Sequence, residues 1–206
     1  TSPLKSKIFI SSTENSLLLA SVILIIAIIS WYIKTYNIFV ALKNKVEEAW
    51  ATIDVYLKKR FDLIPNLVET VKGYAKHEEE TLIKVIEARN NATQIKVDAN
   101  NFTQEQMEQF QQSQDALSSA LKGLNIVIER YPDLKANQNF RDLQEQLEGT
   151  ENRIQVSRQA YNNVAKAYNT MIRRFPNNIL SNMFGFEIVT YFKADVEAIK
   201  APQVSF

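Results

Sequence analysis

From Leu17 to Ile33 the chain reads LLLASVILIIAIISWYI, a run with no charge and only Ser21 and Ser30 as polar interruptions. As a helix it spans about 25 Å at 1.5 Å per residue, the short end of what a bilayer core of roughly 30 Å requires. A buried core helix rarely lacks charge over such a length. A cleaved signal sequence has an apolar run of about 7–15 residues followed by a small-x-small site. Here the run leads into Ser30-Trp31-Tyr32-Ile33-Lys34, which offers no such site. Trp31, Tyr32 and Tyr36 fall at its C-terminal edge, where amphipathic rings favour the headgroup level. The run therefore predicts an uncleaved transmembrane helix over residues 17–35, after a polar tail 1–16, with lipid met by residues 17–33. Lys5 and Lys7 on one flank nearly tie with Lys34, Lys43 and Lys45 on the other under the positive-inside rule. Lys43 and Lys45 lie far out on a helix of the soluble part, so the balance leans to a cytoplasmic N-terminus and an exported C-terminal domain.

Beyond the apolar run, turn-forming material is scarce: four glycines and five prolines in 206 residues. A β-sandwich or a Gly-looped nucleotide fold needs many turns, so long helices are what remain. Val46, Ala49, Trp50, Ile53, Leu57, Phe61 and Ile64 step by three and four and share one face. No Gly or Pro separates this stripe from the membrane segment, which predicts one continuous rod. Pro65, Pro132 and Pro176 are read as punctuation, because proline cannot donate a backbone N–H and disfavours helix in the residue before it. A second helix then starts at Pro65 and carries Leu67, Val71, Tyr74, Leu82, Val85 and Ile86. Asn90–Phe102 loses the periodicity and reads as a loop, its two glycosylation-like triplets at Asn91 and Asn101 being chance matches to a short pattern. Thr103-Gln-Glu-Gln106 spells a capping box opening a third helix, with Phe110, Leu117, Leu121, Leu124 and Ile128 on its apolar face.

Pro132 ends that helix, and a turn over residues 133–136 leads to a fourth. There Phe140, Leu143, Leu147, Ile154, Tyr161, Val164, Tyr168, Ile172 and Phe175 keep near-heptad spacing, interrupted by Thr150 and Glu151. Tyr161-Asn162 and Tyr168-Asn169 repeat at a seven-residue interval and predict a hydrogen-bonded layer on a buried seam that fixes helix register. After a short apolar helix, Phe186–Phe192 has the pattern of an extended segment. The expected fold is all-α: the transmembrane helix continues into a long up-down-up-down four-helix bundle over 36–193, followed by a C-terminal tail 194–206.

Chemistry finds little to work with. Without cysteine there is no disulfide, thiolate nucleophile or Cys-ligated metal, and a net charge of +1 argues against nucleic acid as a partner. A di-metal bundle needs Glu-x-x-His from each of two helices, yet the sole histidine, His77, follows Tyr74 at that spacing, and position 81 is Thr, so His-Glu-x-x-His fails as well. Gly73, Gly123, Gly149 and Gly185 are isolated and make no phosphate-binding loop. Lys58-Lys59-Arg60 is read as a solvated cationic face at a helix end, with docking to anionic lipid or an acidic partner as the alternative. No catalytic, cofactor-binding or metal residue is assigned, no cofactor is expected, and a non-enzyme is predicted. Ile38, Phe39, Val40 and Leu42 put apolar side chains on more than one face of the rod, so one face can meet a second copy in a homo-oligomer.

Ala49-Trp50-Ala51-Thr52-Ile53-Asp54, Arg60-Phe61-Asp62-Leu63-Ile64-Pro65-Asn66-Leu67-Val68 with its continuation to Glu78, and Ala88-Arg89 resemble the signature of the LemA family. Glu129-Arg130-Tyr131-Pro132-Asp133-Leu134-Lys135-Ala136-Asn137, Glu148–Ile154, Tyr161-Asn162, Tyr168-Asn169 and Arg174-Phe175-Pro176 extend the resemblance over residues 36–192. It implies a bacterial single-pass plasma-membrane protein with a helical bundle and relatives that include a magnetosome-associated protein. It supplies no catalytic residues. Genes of similar proteins often neighbour an HtpX-type membrane metalloprotease or a TPM-domain protein, which become candidate partners. The leading expectation is a self-associating scaffold. An adaptor for a membrane protease or envelope quality control is the rival, and an enzyme with an unrecognised site the remote one.

Overall fold

One helix organises the molecule. In the computed structural model, which describes residues 3–95 and 103–193 and their side chains from residue 15 on, α1 runs over Pro3–Tyr74 for 72 residues. That is a rod of about 108 Å. The predicted tail 194–206 lies outside the described residues, as does 96–102 of the predicted loop. α2 (Glu79–Gln94), α3 (Gln104–Ile128), the short α4 (Pro132–Ala136), α5 (Gln138–Arg173) and α6 (Asn177–Phe184) follow, with no strand among the described residues.

Residue pairings fix the directions. Tyr74 meets Asn137, Tyr56 meets Arg153 and Trp50 meets Tyr161, so α5 runs antiparallel to α1. Trp50 meets Phe110 while Arg60 meets Ser118, which makes α3 parallel to α1. α2 returns beside them: Arg89 reaches Phe61, and Ala92 reaches Gln114. The order is up, down, up, down, and the all-α expectation holds.

Two predicted boundaries are overturned, and the turn expected over 133–136 is instead the short helix α4, with Pro132 in its first turn. Pro65 does not start a second helix; α1 passes through it to Tyr74. Proline removes the N–H that would bond the carbonyl four residues back, here that of Phe61. The Arg89 guanidinium of α2 donates Nε–H to that oxygen at 2.8 Å. A neighbouring helix thus satisfies the orphaned carbonyl, and the rod continues. The real break is Ala75–Glu78, which separates the residues assigned to one helix and puts His77 in a turn. Second, α2 continues to Gln94, so the first residues of the predicted loop are helical. Thr103 behaves as predicted: its Oγ1 accepts from Gln106 N–H at 3.1 Å, and Gln106 Oε1 accepts from Thr103 N–H at 3.0 Å.

The heptad seam of α5 is real. Phe140, Leu147, Ile154, Tyr161 and Tyr168 are all buried, with Thr150 and Ser157 on the companion positions. Phe175, assigned to the same stripe, lies past the end of α5 and is 77% exposed. Tyr74 and Ile86 are also exposed.

Among the described residues, α2 is too short to supply a fourth helix toward the apolar end of α1. The chain after α6 fills that place. Gly185 at φ 69° closes α6, with Phe186 N–H on Ser181 O and Gly185 N–H on Asn182 O. That left-handed turn suits only glycine without strain. It sends residues 186–193 back along α3 and α5, away from the apolar end of α1.

Candidate functional site

The first place where unusual chemistry collects is the middle of the bundle. Arg60, read from sequence as part of a solvated cationic run, is 1% exposed; Lys58 and Lys59 do face water. Residue 60 follows Ile53 and Leu57 on the stripe that faces α3 and α5, and that position puts its side chain inside. Its Nη1 donates to Glu151 Oε1 at 2.7 Å and to Ser118 Oγ at 3.2 Å, and Nη2 donates to Gln114 Oε1. Gln114 passes its own Nε2–H to Ala92 O at 3.3 Å. The node joins α1, α3, α5 and α2. It also separates two apolar clusters: one around Ile64, Leu117 and Phe140, the other around Trp50, Phe110 and Tyr161. Glu151, which seemed to interrupt the heptads, is the partner that makes a buried arginine tolerable.

The second place is the seam of repeated Tyr-Asn pairs. Asn169 Oδ1 accepts Val189 N–H at 2.9 Å while its Nδ2 donates to Val189 O at 2.8 Å. Asn162 does the same for Phe192, at 2.9 and 3.0 Å. Gln111 of α3 repeats the pairing on Lys193, at 3.0 and 3.1 Å. Each amide engages both backbone groups of one residue, as a neighbouring strand would. The spacing works because seven helical residues rise about 10.5 Å, close to the reach of three extended residues. The predicted polar layer exists, then, but it holds residues 186–193 rather than setting register between helices. Phe192 fills the groove so made, stacked on Trp50 at 5.7 Å and edge-on to Tyr161 at 5.5 Å.

Tyr161 donates its hydroxyl to Thr190 O at 3.2 Å, and burial, with the nearby Tyr191 second, pushes its pKa up to about 12. A raised acid pKa stabilises the fold fully below the unfolded value of about 10, and that stabilisation fades as pH rises through the folded value. Thermal melts should therefore decline from pH 10 toward about 12, and Tyr161→Phe should shallow that decline. An unchanged slope in the variant would exclude Tyr161 as its source.

The third place is the end of the bundle nearest the apolar run. Every described residue from Asn15 to Trp31 is exposed, and the helix from Asn15 on contains an 18-residue window of mean hydropathy 2.5 with nothing packed on it. Cover begins abruptly at Tyr32. There Tyr32 and Tyr36 meet Phe184 at 5.4 and 4.9 Å, and Phe186 meets Tyr36 and Phe39 at 5.9 and 5.2 Å. Phe39 is fully buried and Ile38, Val40 and Leu42 are half-buried. One face of that stretch packs on the chain's own bundle through Phe39, while Tyr36, Asn37 and Ala41 stay exposed on others.

Among the described residues no three His, Asp or Glu side chains gather as metal ligands, and His77 is exposed beside Glu78. Open grooves of about 580 and 390 Å³ lie between α2 and α3 and between α1 and α2, the first rimmed by Lys84 and Glu87, the second floored by Val68, Ala75 and Leu82 with Lys72 at its rim.

Comparison with known proteins gives the family. The LemA family model matches residues 49–206. Protein LemA of Metamycoplasma hominis is 24% identical over 163 residues, covering 79% of this chain and 71% of that protein. Magnetosome protein MamQ 2 of Paramagnetospirillum magneticum is 23% identical over 198 residues, covering 87% and 72%. Magnetosome protein MamQ of Magnetospirillum gryphiswaldense is 22% identical over 195 residues, covering 85% and 71%.

Proposed function

The chain belongs to the LemA family, and from that premise we propose that it is a non-enzymatic, single-pass scaffold that holds a helical bundle upright on a bacterial plasma membrane and self-associates there. One observation carries the reading. The apolar run and the bundle's central strut are the same uninterrupted helix, so the anchor and the body have no hinge between them. A rigid post of this kind suits a protein that presents a surface at a fixed height. The polar side chains in its core are spent on tying helices together. Names such as LemA and MamQ carry no enzymatic meaning, in keeping with a structural role. The lysine balance leans to an extracytoplasmic bundle, and copies meet through the membrane-proximal part of the α1 rod.

Deleting residues 1–30, which keeps Tyr32 and Tyr36 on their aromatic partners, should give a soluble protein of unchanged helicity per residue. Retention of that variant in the membrane pellet after a carbonate wash, which strips surface-bound protein, would overturn the single span. Self-association has its own test in this cysteine-free chain: single cysteines at 20–28, oxidised in native membranes. Crosslinked dimers support the scaffold. A monomeric mass in mild detergent without crosslinks overturns self-association, and an HtpX-type protease or TPM-domain protein co-purifying at fixed stoichiometry replaces the scaffold by an adaptor.

A further inference from the structure

We propose that α6 and the turn before it form a second membrane contact, a foot that rests in the phospholipid headgroup layer beside the transmembrane helix. The proposal rests on α1 crossing the bilayer.

Chain direction places α6 at the right height. α5 descends toward the apolar end of α1, the chain reverses through α6 and Gly185, and residues 186–193 climb away again. The reversal is the lowest point of the bundle. Phe184 touches Tyr32 and Tyr36, directly above the last uncovered apolar residues.

α6 also has apolar side chains on two sides. Leu180 and Ser181 are buried against the bundle. Ile179 and Met183, one turn apart on another face, are each 58% exposed, and Phe175 in the preceding turn projects almost fully. In water such a helix would hold both faces only at the cost of an exposed apolar patch. Phe184, itself part-exposed, joins this end of α6 to Tyr32 at the edge of the apolar run 17–33, and that junction selects lipid as the occupant. The flanking charges agree: among the described residues Arg173, Arg174 and Lys34 are exposed at this level, with Glu187 beside Arg173. An apolar tip with a cationic border fits phospholipid with anionic headgroups, because basic side chains beside a buried apolar face are attracted to them. A foot of this kind would fix the tilt of the rod, which a single span cannot do alone.

The test uses the full chain in phosphatidylglycerol-containing vesicles, with nitroxides on single-cysteine variants Ile25→Cys, Phe175→Cys, Ile179→Cys, Met183→Cys and Val156→Cys. Labels at 175, 179 and 183 should be more accessible to lipid-soluble oxygen than to a water-soluble nickel chelate, as at 25, while 156 on the exposed side of α5 shows the reverse. Preference for the nickel chelate at 175, 179 and 183, with 25 still in lipid, overturns the foot and leaves the span standing. The same preference at 25 overturns the span itself. Spin–spin broadening at 179 and 183 that vanishes on dilution with unlabelled protein means a second copy covers this face, which also overturns the foot. Charge reversal of Arg173 and Arg174 to Glu should reduce the lipid exposure of the three labels without moving the label at 25.

Discussion

Replacing Arg60 by alanine should cost the bundle about 3–5 kcal/mol, the range for removing one partner of a buried ion pair. Arg60 heads the fully buried side chains by volume, and its loss leaves the Gln114 Oε1 without its donor and Glu151 with only the Ser118 hydroxyl at 3.4 Å and solvent. The cavity adds to the loss, since surrounding helices relax only in part. Thermal or urea unfolding of the variant lacking residues 1–30 reads the effect directly. The informative companion is Arg60→Met with Glu151→Leu. If the pair serves packing direction rather than net stability, the double variant recovers most of the loss, as apolar replacements of buried ion pairs often do. A single variant that melts within a degree or two of the parent would refute a buried role for Arg60.

The node also shows where the sequence was legible and where it was not. Arg60 sits beside Lys58 and Lys59, and charge alone makes the three look alike. Position separates them, because 60 continues the three-and-four spacing of 53 and 57 while 58 and 59 leave it. Glu151 carried the matching clue: a carboxylate on the inward stripe of a strongly periodic helix calls for a buried cation elsewhere. Pro65 was misleading for a different reason. The rule that proline ends helices assumes an unsatisfied carbonyl, and the donor that satisfies Phe61 comes from Arg89, in a helix that pairs only after folding. Long-range compensation of that kind has no local signature. By contrast, the uncharged run, the Thr103 capping box and the heptads of α5 are local patterns, and all three were readable. The paired Asn162 and Asn169 were visible as a repeat, but their target, the backbone of Val189 and Phe192, was not.

That target supports the second large effect, Phe192→Ala, for which the expected loss is about 3–5 kcal/mol, the usual range for a buried phenylalanine. Phe192 is the side chain that turns a line of amide hydrogen bonds into a closed core. It lies flat on Trp50, edge-on to Tyr161 and tilted against Phe110, with the Arg158 guanidinium 5.3 Å from its ring centre. Removing the ring uncovers all three aromatic neighbours at the stretch where α2 no longer shields the bundle. Asn169→Ala should cost less, about 1–3 kcal/mol, because each amide bond is worth about 0.5–1.5 kcal/mol net and only the Asn169 set is lost. The order of the two is the discriminating result. If the amides alone held the segment, Asn169→Ala would match or exceed Phe192→Ala, and hydrogen exchange at Val189 would speed up without change in the helices. If the ring holds it, Phe192→Ala frees residues 186–193 as a unit and exposes Trp50, whose fluorescence then shifts to the red. The aromatic stack predicts the second outcome, since the amides can pair with water and the ring cannot.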